Sequence, residues 1–281
     1  MAALPFNHSG ATSDEHLVDL WLLGRAEQTQ RTYRMDAANF LAALGKPLHT
    51  ATVADVGEWI VNLTGSDQYR ARRLISIKSL LRFAYDTGYH VFNVGEVIRV
   101  PRLKRRTHER IMSETVAKDM IGQAKPGRDH ALLRLFLASG CRVSEAVGLN
   151  FADLGVSVIP GMASVTFFGK GGKTRTVPVQ QDVVSELKTL WREGDTLQSP
   201  IFKSQHGRRL TVRSAQRIVE RTRTEVAASP HWFRHCHSTT ALKNGAPLHD
   251  LKNQLGHSNI STTDIYLHIL GTYGSGQYIE V

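Results

Sequence analysis

The chain has 281 residues, with 35 Lys and Arg against 25 Asp and Glu, and two cysteines. That length allows two domains that each bury a core; two cysteines exclude a disulfide-stapled scaffold and fit a reducing cytoplasm. The net charge of +10 points to a polyanionic partner, while the longest apolar run, ALLRLFLASG, is interrupted by Arg134, so neither a transmembrane span nor a membrane partner is expected.

Residues 1–12 read as a flexible N-terminus, and MAALPFNHSG lacks the charged start and long apolar core of a secretory signal. From residue 13 to 88 the pattern is helical. Leu17, Leu20 and Trp21, then Tyr33, Phe40, Leu41 and Leu44, recur near helical spacing, with Gly24 and Gly45 as stops. Thr52 and Asp55 have the spacing of a capping box ahead of Val56, Trp59, Ile60 and Leu63. A longer helix follows, with Leu74, Ile77 and Leu81 apolar and Arg70, Arg72, Arg73, Lys78 and Arg82 charged. Four helices of this size make a compact all-α domain. Its basic face is either solvated or turned to a polyanion.

Residues 89–110 change character. Pro101 breaks helical continuity, and Arg99, Arg102, Lys104, Arg105, Arg106 and Arg110 crowd around it. This is an inter-domain linker, either a chain crossing a duplex or a basic spacer.

Helices resume with 111–123, capped by Ser113, and with HALLRLFLASG, apolar almost all round and ended by Gly140. Arg142 and Glu145 stand three apart at the start of the next helix. The pair is either a surface salt bridge or a carboxylate orienting a guanidinium. The β-branched runs 163–168 and 173–179 flank Gly169-Lys170-Gly171-Gly172, which predicts a hairpin with a basic tip. No G-x-x-x-x-G-K-[ST] spacing is present, so the tip is not a P-loop. Lys173 and Arg175 are expected on backbone phosphates.

A scaffold helix is predicted over 183–191. Beyond it Arg209, Arg213, Arg217 and Arg221 recur every four residues, a basic stripe with only Glu220 near to neutralise it. Ser229 and Pro230 then open a helix carrying HWFRHCH, where His231 and Arg234 share a face. His231 and His235 invite a metal reading, but the Glu of H-E-x-x-H is missing and no metal or other cofactor is expected. Leu248, Leu251 and Leu255 bury a further helix, Gly256 ends it before His257, and Ser261 with Asp264 can cap the helix carrying Tyr266. A phenol, pKa about 10, is a poor nucleophile at neutral pH. Beside guanidinium and imidazole groups it can attack phosphorus while they hold the developing charge.

With SGCRVSEA around Arg142, GKG around Lys170, HWFRH around Arg234 and LGHSNISTTDIY ending in Tyr266, the chain resembles tyrosine recombinases of the phage-integrase and Xer type. Those carry a G-x-R-x-S-E box, a hairpin lysine, an H-x-x-R box, and a G-H box followed by tyrosine. Here Phe233 replaces the leucine usual in H-x-L-R-H. The resemblance implies a mainly α fold with a small β-sheet (α+β). An all-α core-binding domain at 13–88 would precede the linker 89–110, a catalytic domain at 111–268 and a tail at 269–281 that relatives dock on a neighbour. It implies the catalytic set Arg142, Glu145, Lys170, His231, Arg234, His257 and Tyr266. Tyr266 would be the nucleophile, His231 its proton acceptor and Lys170 the acid that protonates the leaving oxygen. It also implies double-stranded DNA as partner, contacted by Arg70, Arg73, Lys78, Arg102, Lys104, Arg105 and Arg106 and by the hairpin and stripe cations. Strand exchange through a Holliday junction in a homo-tetramer follows, with a second recombinase or accessory protein left open. A type IB topoisomerase and a catalytically silent DNA-binding regulator are the alternatives.

Overall fold

The structure is a computed structural model and describes residues 7–101, 112–169, 172–222 and 229–256. Lys170, His257 and Tyr266, the linker cations Arg102, Lys104, Arg105 and Arg106, the Ser261 cap and the tail lie outside the described residues. The chain divides into two compact units, Met1–Arg105 and Arg106–Val281. The architecture is the mainly helical one expected, with a single small sheet among the described residues.

The first unit holds helices α1 (Asp14–Leu22), α2 (Glu27–Leu44), α3 (Val53–Val61) and α4 (Asp67–Asp86). Side chains of Ser13, Thr52 and Ser66 cap three of their N-termini, and the box between Thr52 and Asp55 is complete. Leu17, Trp21, Phe40, Val56, Trp59, Ile77 and Leu81 form the core, with Phe40 set edge-on to Trp59 at 5.0 Å. Val94 and Ile98, from the segment expected as linker, are buried in the same core.

A polar knot within this unit corrects the reading of its basic residues. Asp36 is fully buried, accepts a hydrogen bond from Ser76 Oγ at 2.9 Å, and is ion-paired with Arg72. Arg73, expected on DNA, turns inward: its guanidinium lies 5.7 Å over the Trp59 ring with Nε 4.0 Å from Asp36. A buried carboxylate needs such company, because desolvation of an unpaired charge is costly. Lys78, also expected on DNA, donates to the Ile98 carbonyl at 3.0 Å, while Arg70 is exposed.

The second unit runs α5 (Glu114–Gln123), α6 (Arg128–Ser139), α7 (Val143–Gly148), β1 (Leu154–Val156), β2 (Met162–Phe168), β3 (Thr174–Gln180), α8 (Gln181–Lys188), α9 (Val212–Arg221), α10 (Pro230–Lys243) and α11 (Leu248–Leu255). Ser113 caps α5 by accepting from the Val116 amide. The three strands are antiparallel in the order β1-β2-β3, with Val165 opposite Val177 and Phe167 opposite Arg175. Ala163, Val165 and Phe167 face the core with Val177 and Val179, the two-residue period of a half-buried sheet. The short β1 has no counterpart in the sequence reading. Leu132, Leu133, Leu135 and Phe136 make α6 the buried central helix. Among the described residues no helix is long and apolar enough to cross a membrane.

The four-residue arginine period does not survive intact. Arg209 precedes α9, whose N-cap is Thr211, and pairs its backbone with Lys203 in an isolated antiparallel β-bridge instead. Its guanidinium donates to the carbonyls of Val147, Gly148 and Leu149 at 2.9, 2.6 and 3.2 Å and to Asn150 Oδ1 at 2.7 Å. It therefore closes the C-terminus of α7, where carbonyls lack partners and positive charge is favoured. Arg209→Ala is expected to destabilise the protein by about 1–3 kcal/mol, the worth of a charge-assisted bond. Denaturant titration measures the loss, and an unchanged midpoint would free Arg209 from this role.

Candidate active site

The site starts at the turn between α6 and α7. Gly140 ends α6 in the left-handed region at φ 62°, which reverses the chain and makes Arg142 the N-cap of α7. A Cβ on Gly140 would stand 2.7 Å from His237 Cδ2 and 2.9 Å from a Leu255 methyl, so the turn is packed from above. Glu145, three residues on, closes a ring. It accepts from the Arg142 amide at 2.7 Å through one oxygen and from the Arg142 guanidinium at 2.8 Å through the other. Glu145 is only 4% exposed, which excludes the surface salt bridge and leaves the orienting carboxylate.

Arg175, which the sequence placed on phosphates, comes to the same carboxylate from β3. Its two terminal nitrogens each donate to one Glu145 oxygen at 2.8 Å, and its Nε donates to the Gln254 carbonyl at 2.7 Å. Burial pushes the Glu145 carboxyl up, but the Arg175 hydrogen bonds, the Arg142 amide and the Arg142 guanidinium outweigh it and hold the group at about 2. Glu145 is thus ionised at any working pH. Lys173 is exposed at the neighbouring turn.

Helix α10 supplies the second arginine. Arg234 is buried and donates to the Gly140 carbonyl and to the Leu255 carbonyl, each at 2.6 Å. One guanidinium thereby fastens the end of α6 and the end of α11 to α10. His231 lies one turn before it on the same helix. Desolvation, then repulsion from Arg234 and Arg142, lowers its pKa below the ordinary imidazole value. It is therefore neutral at pH 7 and able to accept a proton.

The remaining histidines of HWFRHCH separate. His237 donates through Nδ1 to the Leu137 carbonyl at 2.9 Å, which leaves Nε2 to face Gln254 at 3.3 Å. Among the described residues no group of three or more His, Cys, Asp or Glu side chains could hold a metal ion. Cys141 and Cys236 are buried, and desolvation pushes the Cys141 thiol up to about 12. Both are packing groups.

Arg142, Glu145, His231 and Arg234 are thus gathered around the turn at Gly140. Arg213, Arg217 and Arg221 are not: they project outward from α9 while Ala215, Ile218 and Val219 face the core. Among the described residues none of those three arginines forms a salt bridge. Gly256 ends α11 at φ 62°, and a Cβ there would meet the Arg175 guanidinium carbon at 3.3 Å. The chain leaving this contact leads directly into residue 257.

Comparison with known proteins gives concordant matches. The sequence pattern of the Phage integrase family matches residues 101–271, and that of the Phage integrase, N-terminal SAM-like domain, matches residues 14–88. Tyrosine recombinase XerC of Corynebacterium efficiens is 30% identical over 263 residues, which cover 88% of this chain and 83% of the relative. Among solved structures, the XerH site-specific recombinase bound to palindromic difH substrate is similar with a TM-score of 0.70 at 18% identity, covering 95% of this chain and 84% of that one. A lambda integrase tetramer bound to a Holliday junction has a TM-score of 0.71 at 14% identity, over 89% and 79% of the two chains. At such identities the two structures bear on the fold alone.

Proposed function

Because this chain belongs to the phage integrase family of tyrosine recombinases, we propose that it cuts and rejoins double-stranded DNA at specific sites through a 3′-phosphotyrosyl bond to Tyr266. The phenolic oxygen of Tyr266 attacks the scissile phosphorus, and the bond from phosphorus to the 5′ oxygen breaks. His231, neutral beside two arginines, takes the phenol proton. Lys170 gives a proton to the departing 5′ oxygen. Arg142, Arg234 and His257 hold the charge that builds on the phosphoryl oxygens. The phosphotyrosyl linkage keeps the bond energy, so a 5′ hydroxyl from a partner strand reseals it without a nucleotide cofactor or a metal. Two duplexes offer four strands, hence four protomers and a Holliday junction between the two exchanges. The tail 269–281 is proposed to link neighbours.

The observation that carries this reading is the anchoring of Arg234 and Arg142. Each is held by fixed acceptors, Gly140 and Leu255 carbonyls for one and the Glu145 carboxylate for the other. Donors fixed before substrate arrives cost no reorganisation when charge develops, the arrangement expected of a site that stabilises a transition state. The test is a nicked duplex carrying a sequence selected by the protein from a random pool. A covalent adduct on the 3′ phosphate, formed equally well with a chelator present, is expected. No adduct, or one abolished by the chelator, would overturn the reading.

The outer face of α9 is proposed to run along the phosphate backbone. Arg213→Ala or Arg217→Ala should weaken binding and lower the slope of log affinity against log salt by about 1 each. The rate of adduct formation at saturating protein should hold. If both variants bind as wild type at every salt concentration, the face is merely solvated.

A further inference from the structure

We propose that Arg175 is a positioning residue for the proposed cleavage reaction, one that sets Arg142 and the segment leading to His257 through a single guanidinium. This rests on the site just described and adds to it a group from outside the family's boxes. Arg175 sits on β3, two residues beyond Lys173, opposite Phe167 in the sheet. Its guanidinium lies 5.2 Å over the Phe167 ring, which fixes its plane. From there three of its five N–H donors are engaged. Two nitrogens span both oxygens of Glu145 at 2.8 Å, and Nε reaches the Gln254 carbonyl at 2.7 Å.

Each of those contacts leads to a working group. Glu145 is the carboxylate that holds the Arg142 amide and guanidinium, so Arg175 completes the set of donors around it. Gln254 precedes Leu255, whose carbonyl Arg234 holds, and Gly256, whose Cα lies so near Arg175 that a Cβ would stand 3.1 Å from its terminal nitrogen. Residue 257 comes next in the chain. Arg175 thus joins the hairpin strand, the start of α7 and the end of α11, three elements brought together from positions 30 and 79 residues away. The Arg175 side chain is only 14% exposed and holds a buried carboxylate with its bidentate face, which favours positioning over a phosphate contact at the surface. Among the described residues no other side chain supplies both oxygens of Glu145, so loss of Arg175 leaves that carboxylate with Arg142 alone. The guanidinium of Arg142 would then be drawn deeper onto Glu145 and away from the phosphate it is to meet.

The experiment separates positioning from phosphate contact and from simple folding. Arg175→Lys and Arg175→Gln are compared with wild type in the full chain, reading DNA affinity across salt concentrations and the adduct rate on a nicked duplex at saturating protein. Lysine keeps the charge but cannot span two oxygens and a carbonyl together. Both variants are expected to keep the wild-type salt slope and to form adduct at a rate lowered about 10-fold or more. Glu145→Gln is expected to lower the rate too, and the double variant Glu145→Gln with Arg175→Gln to fall little further, since both act through one arrangement. A salt slope reduced by about 1 with a wild-type rate at saturation would make Arg175 a phosphate contact and overturn the inference. So would losses that multiply in the double variant, or rates that fall only in step with the fraction of folded protein. A wild-type protein that forms no adduct would instead overturn the function proposed above, with the Arg175 geometry untouched.

Discussion

Tyr266→Phe is expected to bind the selected DNA with wild-type affinity and to form no detectable covalent adduct on the nicked substrate. The substitution removes one oxygen and leaves the ring, so packing and the charge of the site stay the same. An attack on phosphorus needs that oxygen, and no group on phenylalanine can replace it. Tyr273 and Tyr278 are the internal controls, because neither follows a G-H pair and Phe at either position should leave the adduct yield intact. An adduct in Tyr266→Phe that maps to one of them would move the nucleophile into the tail.

Arg234→Ala is expected to show the second largest effect, with two components that can be measured apart. As a donor aimed at developing charge, its loss should slow adduct formation by about 10²-fold or more. As the partner of the Gly140 and Leu255 carbonyls it also has a structural share. Leaving two buried carbonyls without it should cost about 1–3 kcal/mol each where water cannot enter. Arg234→Lys tests the distinction: it keeps a charge, cannot reach both carbonyls, and should recover part of the stability while the rate remains low. A variant that unfolds no more readily and cleaves at the wild-type rate would remove Arg234 from the site.

The order of the motifs was legible because each is local. Gly140, Arg142 and Glu145 lie close together in the chain, and the spacing of Glu145 to Arg142 already gives a capping contact. His231 and Arg234 share a helix face for the same reason. What pattern could not show is which distant groups converge on them. Arg175 looked like a hairpin cation because strands pair their backbones across the sheet but say nothing of where an inward side chain ends. Its burial follows only from the β3 register, with Val177 and Val179 on the same face. Arg209 lies outside the helix for a different reason: the four-residue period does not extend backwards through Leu210 and Thr211. Thr211 followed by Ser214 is itself a helix start, and its hydroxyl accepts from the Ser214 amide. Arg73 was lost to Asp36, a buried acid on another helix whose need for a counter-charge no local count reveals.

The turn at Gly140 has a bearing on how variation in this chain would be interpreted. Position 140 carries no side chain, yet its carbonyl receives Arg234 and the space above it is filled by His237 and Leu255. A survey of all substitutions would find it as intolerant as Arg142 and Arg234 beside it. Alanine there faces both a left-handed backbone and two atoms under 3 Å away. Intolerance at 140 would record geometry and intolerance at 142 would record chemistry, and survival of function alone could not distinguish them. Only the pair of readings, folding and cleavage, tells a residue that shapes the site from one that works in it.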